Sequence, residues 1–480
     1  MIARRTFLSA ASLGAGLLAA PAVVRARTAS TDGAAPTLRA TPATAQLVPP
    51  GFGRTDVWGY DGRVPGPEIR LRAGERLRRR LVNDLPQSTA VHWHGIRLPN
   101  AMDGAAGLTQ EPVEPGGSFL YDFVVPDPGT YWYHSHDRSW EQIARGLYGP
   151  LIVEDAEPWL GLAGAATREA TLALDDWFLR PDAQIDTDSF GNLHEWAHAG
   201  RAGNTFTANG RMGLEVPARA GERLRLRLVN VANARIMPVR FEVPATLVAL
   251  DGHPIAPRSG ENVVLTPAQR ADVVVDMARK PGGRVPLLVE IGRNDWIEMA
   301  TFVMSDEPSL LEEGRDVRPL PSWSPERDRA PDLNDAQRET LVMEGGAMGS
   351  LTSARLDGVE SPLDDLVAAK RVWAFNGVAG GGDYALDEPV FRVPRGRTVH
   401  LTIRNDTGFP HGIHLHGHHF TVLSRGGVPD PHRDVRDTVL TEPRETVEIA
   451  FRADNPGRWL VHCHMLEHQA AGMLSWFEVT

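Results

Sequence analysis

Charged and apolar residues take turns between Gly74 and Asn83 (Glu-Arg-Leu-Arg-Arg-Arg-Leu-Val between them). The same alternation runs from Gly221 to Asn230 and, more loosely, from Gly396 to Asn405. A period of two marks a strand with one face in a core and the other in water. Upstream of each run lies an Asx-Gly pair (Asp61-Gly62, Asn209-Gly210, Asn376-Gly377), which predicts a tight turn. Downstream, Glu114-Pro115 to Pro128-Gly129, Thr266-Pro267 to Pro281-Gly282 and Glu442-Pro443 to Pro456-Gly457 enclose second alternating runs, such as ADVVVDM and ETVEIAF. One unit is therefore written three times. Helical periodicity is scarce, and 47 Gly and 37 Pro punctuate many short strands. The pattern predicts an all-β chain of three antiparallel sandwich or barrel domains, at 40–157, 165–305 and 336–480. A Pro-rich, charged stretch at 306–335 reads as the linker before the last domain.

The first 26 residues do not fit this pattern. Arg4-Arg5, then Thr6-Phe7-Leu8 and a run of small and apolar residues, have the form of a twin-arginine export signal. The apolar run is short for a membrane span. Its removal takes away three arginines, leaving 47 basic against 61 acidic residues. That balance argues against nucleic acid and anionic membranes as partners. An exported chain with one cysteine makes no internal disulfide, so Cys463 is expected to be buried or bound.

The histidines follow the repeat. His92 and His94 stand nine and eleven residues after Asn83, and His414 and His416 stand nine and eleven after Asn405. His134 and His136 begin nineteen residues after Pro115, and His462 and His464 begin nineteen after Pro443. The middle copy has Val239 and Phe241 at the first of these places. If the outer domains face each other, eight imidazoles converge. Such a cluster is destabilising without metal and suited to several ions. Along an extended strand Cys463 points away from His462 and His464. On its own side it can meet His411, His468 and Met473, the donor set of a mononuclear blue-copper site. The lone cysteine is then both a metal ligand and an electron conduit to the cluster.

These segments, HWHG (92–95), HSH (134–136), HGIHLHGH (411–418) and HCHMLEHQAAGM (462–473), resemble those of the three-domain multicopper oxidases, the group that includes laccases and bacterial copper-efflux oxidases. The resemblance spans roughly residues 45–480. It implies three cupredoxin-like Greek-key β-sandwich domains and four coppers per chain. His411, Cys463 and His468 would bind type 1 copper, with Met473 axial. His92 and His414 would hold type 2 copper, and His94, His134, His136, His416, His462 and His464 the type 3 pair. Substrate would be oxidised one electron at a time at type 1, and O2 reduced to water at the trinuclear site through Cys463, His462 and His464. Asp103 matches an acid placed near that site in relatives, although a turn before Gly104 also explains an Asp.

Two positions depart from the family pattern. Gly412 replaces a usual Pro, and Gln469 replaces an acid associated with proton delivery. Copper-efflux members carry a methionine-rich insert in the third domain, where this chain has only Met343 and Met348 nearby. His418 and His419 are expected to support packing, and His194, His198, His253, His400 and His432 to be ordinary surface or core residues. Asp406 is a candidate for orienting substrate, or a solvated loop residue. The leading expectation is a laccase-like oxidase of phenols, aromatic amines or small metal ions. The alternatives are a cuprous oxidase of copper tolerance and a non-catalytic cupredoxin-domain protein of envelope assembly. Expected partners are O2, a small reductant and the twin-arginine export machinery, for a periplasmic or otherwise exported monomer with no membrane span after processing.

Overall fold

The computed structural model describes residues 35–154, 168–310, 331–380 and 388–480. The expected signal at 1–26 and most of the expected linker lie outside the described residues. No helix among the described residues is long and apolar enough to cross a membrane. The chain is all-β, as the alternation predicts.

The threefold unit appears as three equivalent sets of strands. Arg76–Asn83, Arg223–Asn230 and Thr398–Asn405 each lie in the middle of a sheet. Each pairs antiparallel with the second alternating run of its own unit: Ser118–Val124, Arg270–Asp276 and Thr446–Arg452. On the other side each pairs parallel with the unit's opening strand, Thr37–Ala45, Arg168–Trp177 or Gln337–Gly345. The sheets are thus mixed and not purely antiparallel. The opening strand crosses over before the chain returns, and a parallel partner leaves no mark on the local period of two. A second sheet closes each sandwich over an apolar core, with Leu77, Leu81, Trp93 and Tyr121 in the first and Leu224, Leu226, Val273 and Phe302 in the middle one.

Two repeated side chains explain why the unit recurs. The turn residues Asp61, Asn209 and Asn376 have φ of 53°, 49° and 49°, a region that Asn and Asp tolerate better than most. Each side-chain oxygen accepts from a backbone N–H of the opening strand, of Arg39, Ala173 and Val342 respectively. The asparagine ending each middle strand is buried and staples the following corner. Asn83 Nδ2 donates to the carbonyls of Gln87 and Val113, Asn230 Nδ2 to those of Arg235 and Leu265, and Asn405 Nδ2 to those of Phe409 and Glu442. This corner sets the register of the next strand. In the outer units that strand carries histidines, whereas in the middle unit Val239 and Phe241 fill the apolar core.

Candidate metal centres

In the first unit, Val91–His94 pairs with Gly129–Ser135 so that His92 lies opposite His134. In the third, His411–Leu415 pairs with Gly457–Cys463 so that His414 lies opposite His462. Residues two apart on a strand share a face, and His94, His136, His416 and His464 extend both faces toward the interface. All eight are at most 2% exposed. Their donor atoms gather into groups that could hold an ion: His92 with His94 and His414; His94 with His134 and His464; His136 with His416 and His462. Each group draws on both outer units, as the sequence expectation requires.

Two crossed ties hold the cluster. His92 stacks on His416 with centroids 3.9 Å apart, and His94 stacks on His414 at 3.8 Å. Asp103 serves the first stack: its backbone oxygen accepts from His92 Nδ1 at 2.8 Å, and its Oδ2 lies 2.8 Å from His416 Nδ1. Asp437 serves the second: its backbone oxygen accepts from His414 Nδ1 at 2.9 Å, and its Oδ1 lies 3.2 Å from His94 Nε2. Each acid binds a ring of its own unit through the main chain and a ring of the other unit through its carboxylate. Such outer partners fix ring orientation and tautomer in metal sites. The two acids differ in one respect. Asp437 is clamped by the fully buried Arg270 of the middle unit, whose two terminal nitrogens lie 2.9 and 2.5 Å from its oxygens. Burial alone would raise the Asp437 carboxyl, but Arg270 outweighs it and holds the group below its usual range. Gly95 of HWHG is where this clamp passes. It has φ of +84°, and a side chain there would run into Arg270 and Asp437 within 2.6 Å.

With their Nδ1 atoms held by carbonyls, His92 and His414 leave Nε2 without a hydrogen-bond partner, and both ring nitrogens of His464 are likewise unpartnered. Buried polar atoms are rarely left so, and a set of convergent imidazole lone pairs fits bound metal. Burial, and then repulsion between neighbouring rings, pushes His94, His136, His414 and His416 well below the ordinary histidine range. Neutral imidazole is the ligand form.

A fourth group, within the third unit alone, comprises His411, Cys463 and His468. Cys463 Sγ lies 3.6 Å from His411 Nδ1 and 3.8 Å from His468 Nδ1, and the two nitrogens lie 3.0 Å apart. Bonds of roughly 2.0 Å to nitrogen and 2.3 Å to sulfur, typical of a tetrahedral ion, span these separations. The outer nitrogens are committed elsewhere: His411 Nε2 to Thr407 Oγ1 at 2.8 Å, and His468 Nε2 to the backbone oxygen of His198 at 2.6 Å. Both rings therefore turn Nδ1 inward. Burial pushes the Cys463 thiol up to about 12, so a cation is what would make it a thiolate. Met473 is fully buried in the same cluster, and its backbone bonds both Cys463 and His468.

Burial lowers His462 and His468 from 6.5 to about 4. A histidine that loses basicity on folding stabilises the fold fully above its unfolded value and progressively less as pH falls toward its folded one. The copper-free protein should therefore lose about 3 kcal/mol for each of these two residues between pH 6.5 and 4. Urea midpoints measured across that range check this, and a flat profile would contradict it.

Other sequence readings meet the structure as follows. Gly412 sits in a strand paired on both sides, and a side chain there would press on Thr266 of the middle unit, which accounts for the missing Pro. Gln469 is buried on the helix Leu466–Ala470; the acid of that helix, Glu467, accepts from Asn233 Nδ2 at 2.9 Å. His418 packs among Phe451, Trp459 and Phe477, and His419 Nε2 donates to the Gly95 carbonyl, in keeping with supporting roles. Asp406 is paired with Arg404. The sequence reading did not find Asp437, Arg270, Thr407 or the carbonyl of His198. Asp437 stands in a charged stretch (DPHRDVRD) that reads as solvated, and a main-chain carbonyl carries no sequence signal.

Comparison with known proteins agrees with this geometry. Residues 43–158, 168–293 and 360–480 match three multicopper oxidase family profiles. The chain is 30% identical to multicopper oxidase MmcO of Mycobacterium tuberculosis over 98% of its own length and 96% of the relative's. Among solved structures, the multi-copper oxidase from Pseudomonas thermotolerans is 34% identical (TM-score 0.79), covering 92% of this chain and 98% of that one. Lac15 from a marine microbial metagenome is 36% identical (TM-score 0.72), covering 93% and 100%.

Proposed function

The chain belongs to the multicopper oxidases, and from that premise we propose a laccase-like activity. Phenols, aromatic amines or small metal ions are oxidised one electron at a time, and four electrons reduce O2 to two waters. The observation that carries this reading is the continuity of the two centres. Cys463, of the group with His411 and His468, is flanked in the chain by His462 and His464, which belong to two different groups of the large cluster. The bound coppers supply one-electron chemistry at the first centre and O2 reduction at the second.

The residues divide the work. Cys463, His411, His468 and Met473 would hold type 1 copper; His92 and His414 would hold type 2; His94, His134, His136, His416, His462 and His464 would hold the type 3 pair. Cys463 and its flanking histidines are the short covalent path for electrons. Asp103, touching both His92 and His416, is placed to pass protons toward the cluster, since it is not clamped as Asp437 is. The full ligand set argues against a non-catalytic protein of envelope assembly. The division into 40–157, 165–305 and 336–480, export through the twin-arginine pathway and a monomeric state belong to the same reading.

Copper-loaded protein should be blue and carry about four coppers per chain, with O2 uptake driven by a phenol or a reduced metal ion. Metal analysis giving a single copper after full loading would defeat the proposal. Met473→Leu tests the axial role. Leucine conserves volume, so the fold should lose less than about 1.5 kcal/mol. Loss of a weak axial donor should raise the type 1 potential, each ~59 mV being tenfold in a one-electron equilibrium. An unshifted midpoint in a redox titration would leave Met473 a packing residue.

A further inference from the structure

We infer that the imidazoles of His194 and His198 form a docking site for a reducing metal ion, and that His198 is where its electron enters. This rests on the proposed type 1 site at Cys463. His411, Cys463, His468 and Met473 are all 0% exposed, so a reductant in water touches none of them. What covers the outer nitrogen of His468 is the backbone oxygen of His198, which accepts its Nε2–H at 2.6 Å. His198 is half-buried and His194 exposed. The peptide joined to a type 1 ligand thus carries a side chain that water can reach.

The pair has the chemistry of a ligand set. His194 lies on the short helix Leu193–Ala197, and His198 follows it one turn later, so both rings share a face. Their centroids are 4.0 Å apart. His198 Nδ1 lies 2.7 Å from the carbonyl of His194 and must donate to it. The lone pair of neutral His198 is therefore on Nε2. Two imidazoles suit iron, copper, nickel or zinc better than manganese, which prefers carboxylates. The Ala347 N–H donates to the Ala197 carbonyl at 2.8 Å, which brings the loop of the exposed Met348 alongside. The net charge of −11 favours a cation over an anion. The class of reductant is an imidazole-preferring ion with a state one electron higher, such as ferrous iron.

The step balances simply. Fe(II) would become Fe(III). Its electron would pass through the His198 peptide and its hydrogen bond to the His468 ring, toward the one-electron acceptor copper that His411, Cys463 and His468 would hold. No proton moves at this site. Four such events, with one O2 and four protons from water, yield two waters at the other centre.

The test is the His194→Ala/His198→Ala double variant of the copper-loaded enzyme. Both side chains reach solvent, and the His198 carbonyl is retained, so the blue absorption and the type 1 potential should not change. Loss of a partner one shell further out in a metal site costs about 10–100-fold in affinity, so the KM for Fe(II) should rise at least tenfold. The KM for a phenol should stay as it was. Redox-inert Zn(II) should inhibit Fe(II) oxidation competitively in the parent and lose that effect in the variant. An unchanged KM for Fe(II) with Zn(II) inhibition intact overturns the proposal, as does an equal loss of Fe(II) and phenol oxidation. A parent enzyme that takes up no O2 with either reductant sinks the oxidase reading, and this inference with it.

Discussion

Cys463→Ser is expected to abolish substrate oxidation and the blue colour while the eight-imidazole cluster still takes up about three coppers. The thiol is fully buried, with two Nδ1 atoms within 3.8 Å of its sulfur. A hydroxyl is a hard donor on a shorter bond, a poor replacement for thiolate at such a site. The substitution should be tolerated by the fold. The backbone N–H of Cys463 donates to the Met473 carbonyl and Ile413 pairs opposite, contacts that serine keeps. Copper analysis, the visible spectrum and O2 uptake read the three consequences separately. Near-normal O2 uptake in the variant would remove Cys463 from the electron path.

The second large effect is expected at Asp437. Truncating it to alanine leaves Arg270 buried and without its closest carboxylate partner, a situation that costs about 3–5 kcal/mol. The same change removes the carboxylate that lies beside both His94 and His414. Asp103→Ala removes the pseudo-equivalent acid but strands no buried cation. Urea midpoints of the copper-free proteins should therefore fall much further for Asp437→Ala than for Asp103→Ala, whereas both should disturb the type 2 copper resonance and turnover. Equal destabilisation by the two would show that the Arg270 clamp adds nothing.

The features legible in the sequence were those written within one unit. The Asx-Gly turns, the alternating strands and the stapling asparagines are local, and each recurs at a fixed offset. The histidine pairs inherited their visibility from that offset, because a period of two puts both rings of a pair on one face. Contacts between units made by residues outside the repeated histidine pairs were not legible. Asp437 meets His94 across 343 residues and Arg270 across 167, and neither spacing has a pattern to announce it. The parallel pairing of each opening strand was hidden for a related reason. Alternation reports which face of a strand is buried and nothing about its neighbour's direction.

The order of the ligands along the chain has a consequence for biosynthesis. Three of the four donor groups built from His and Cys alone need a residue at or beyond His462, and the other needs His414. At 5–20 residues per second, a ribosome spends on the order of tens of seconds between His92 and His462. For most of that time the nascent polypeptide owns no complete copper pocket. A translation product that stops before His462 keeps at most a partial cluster and lacks Cys463, so it has no wired path from substrate to oxygen. Full redox capacity thus waits for the segment from His462 to His468, long after the first histidine pair has been made.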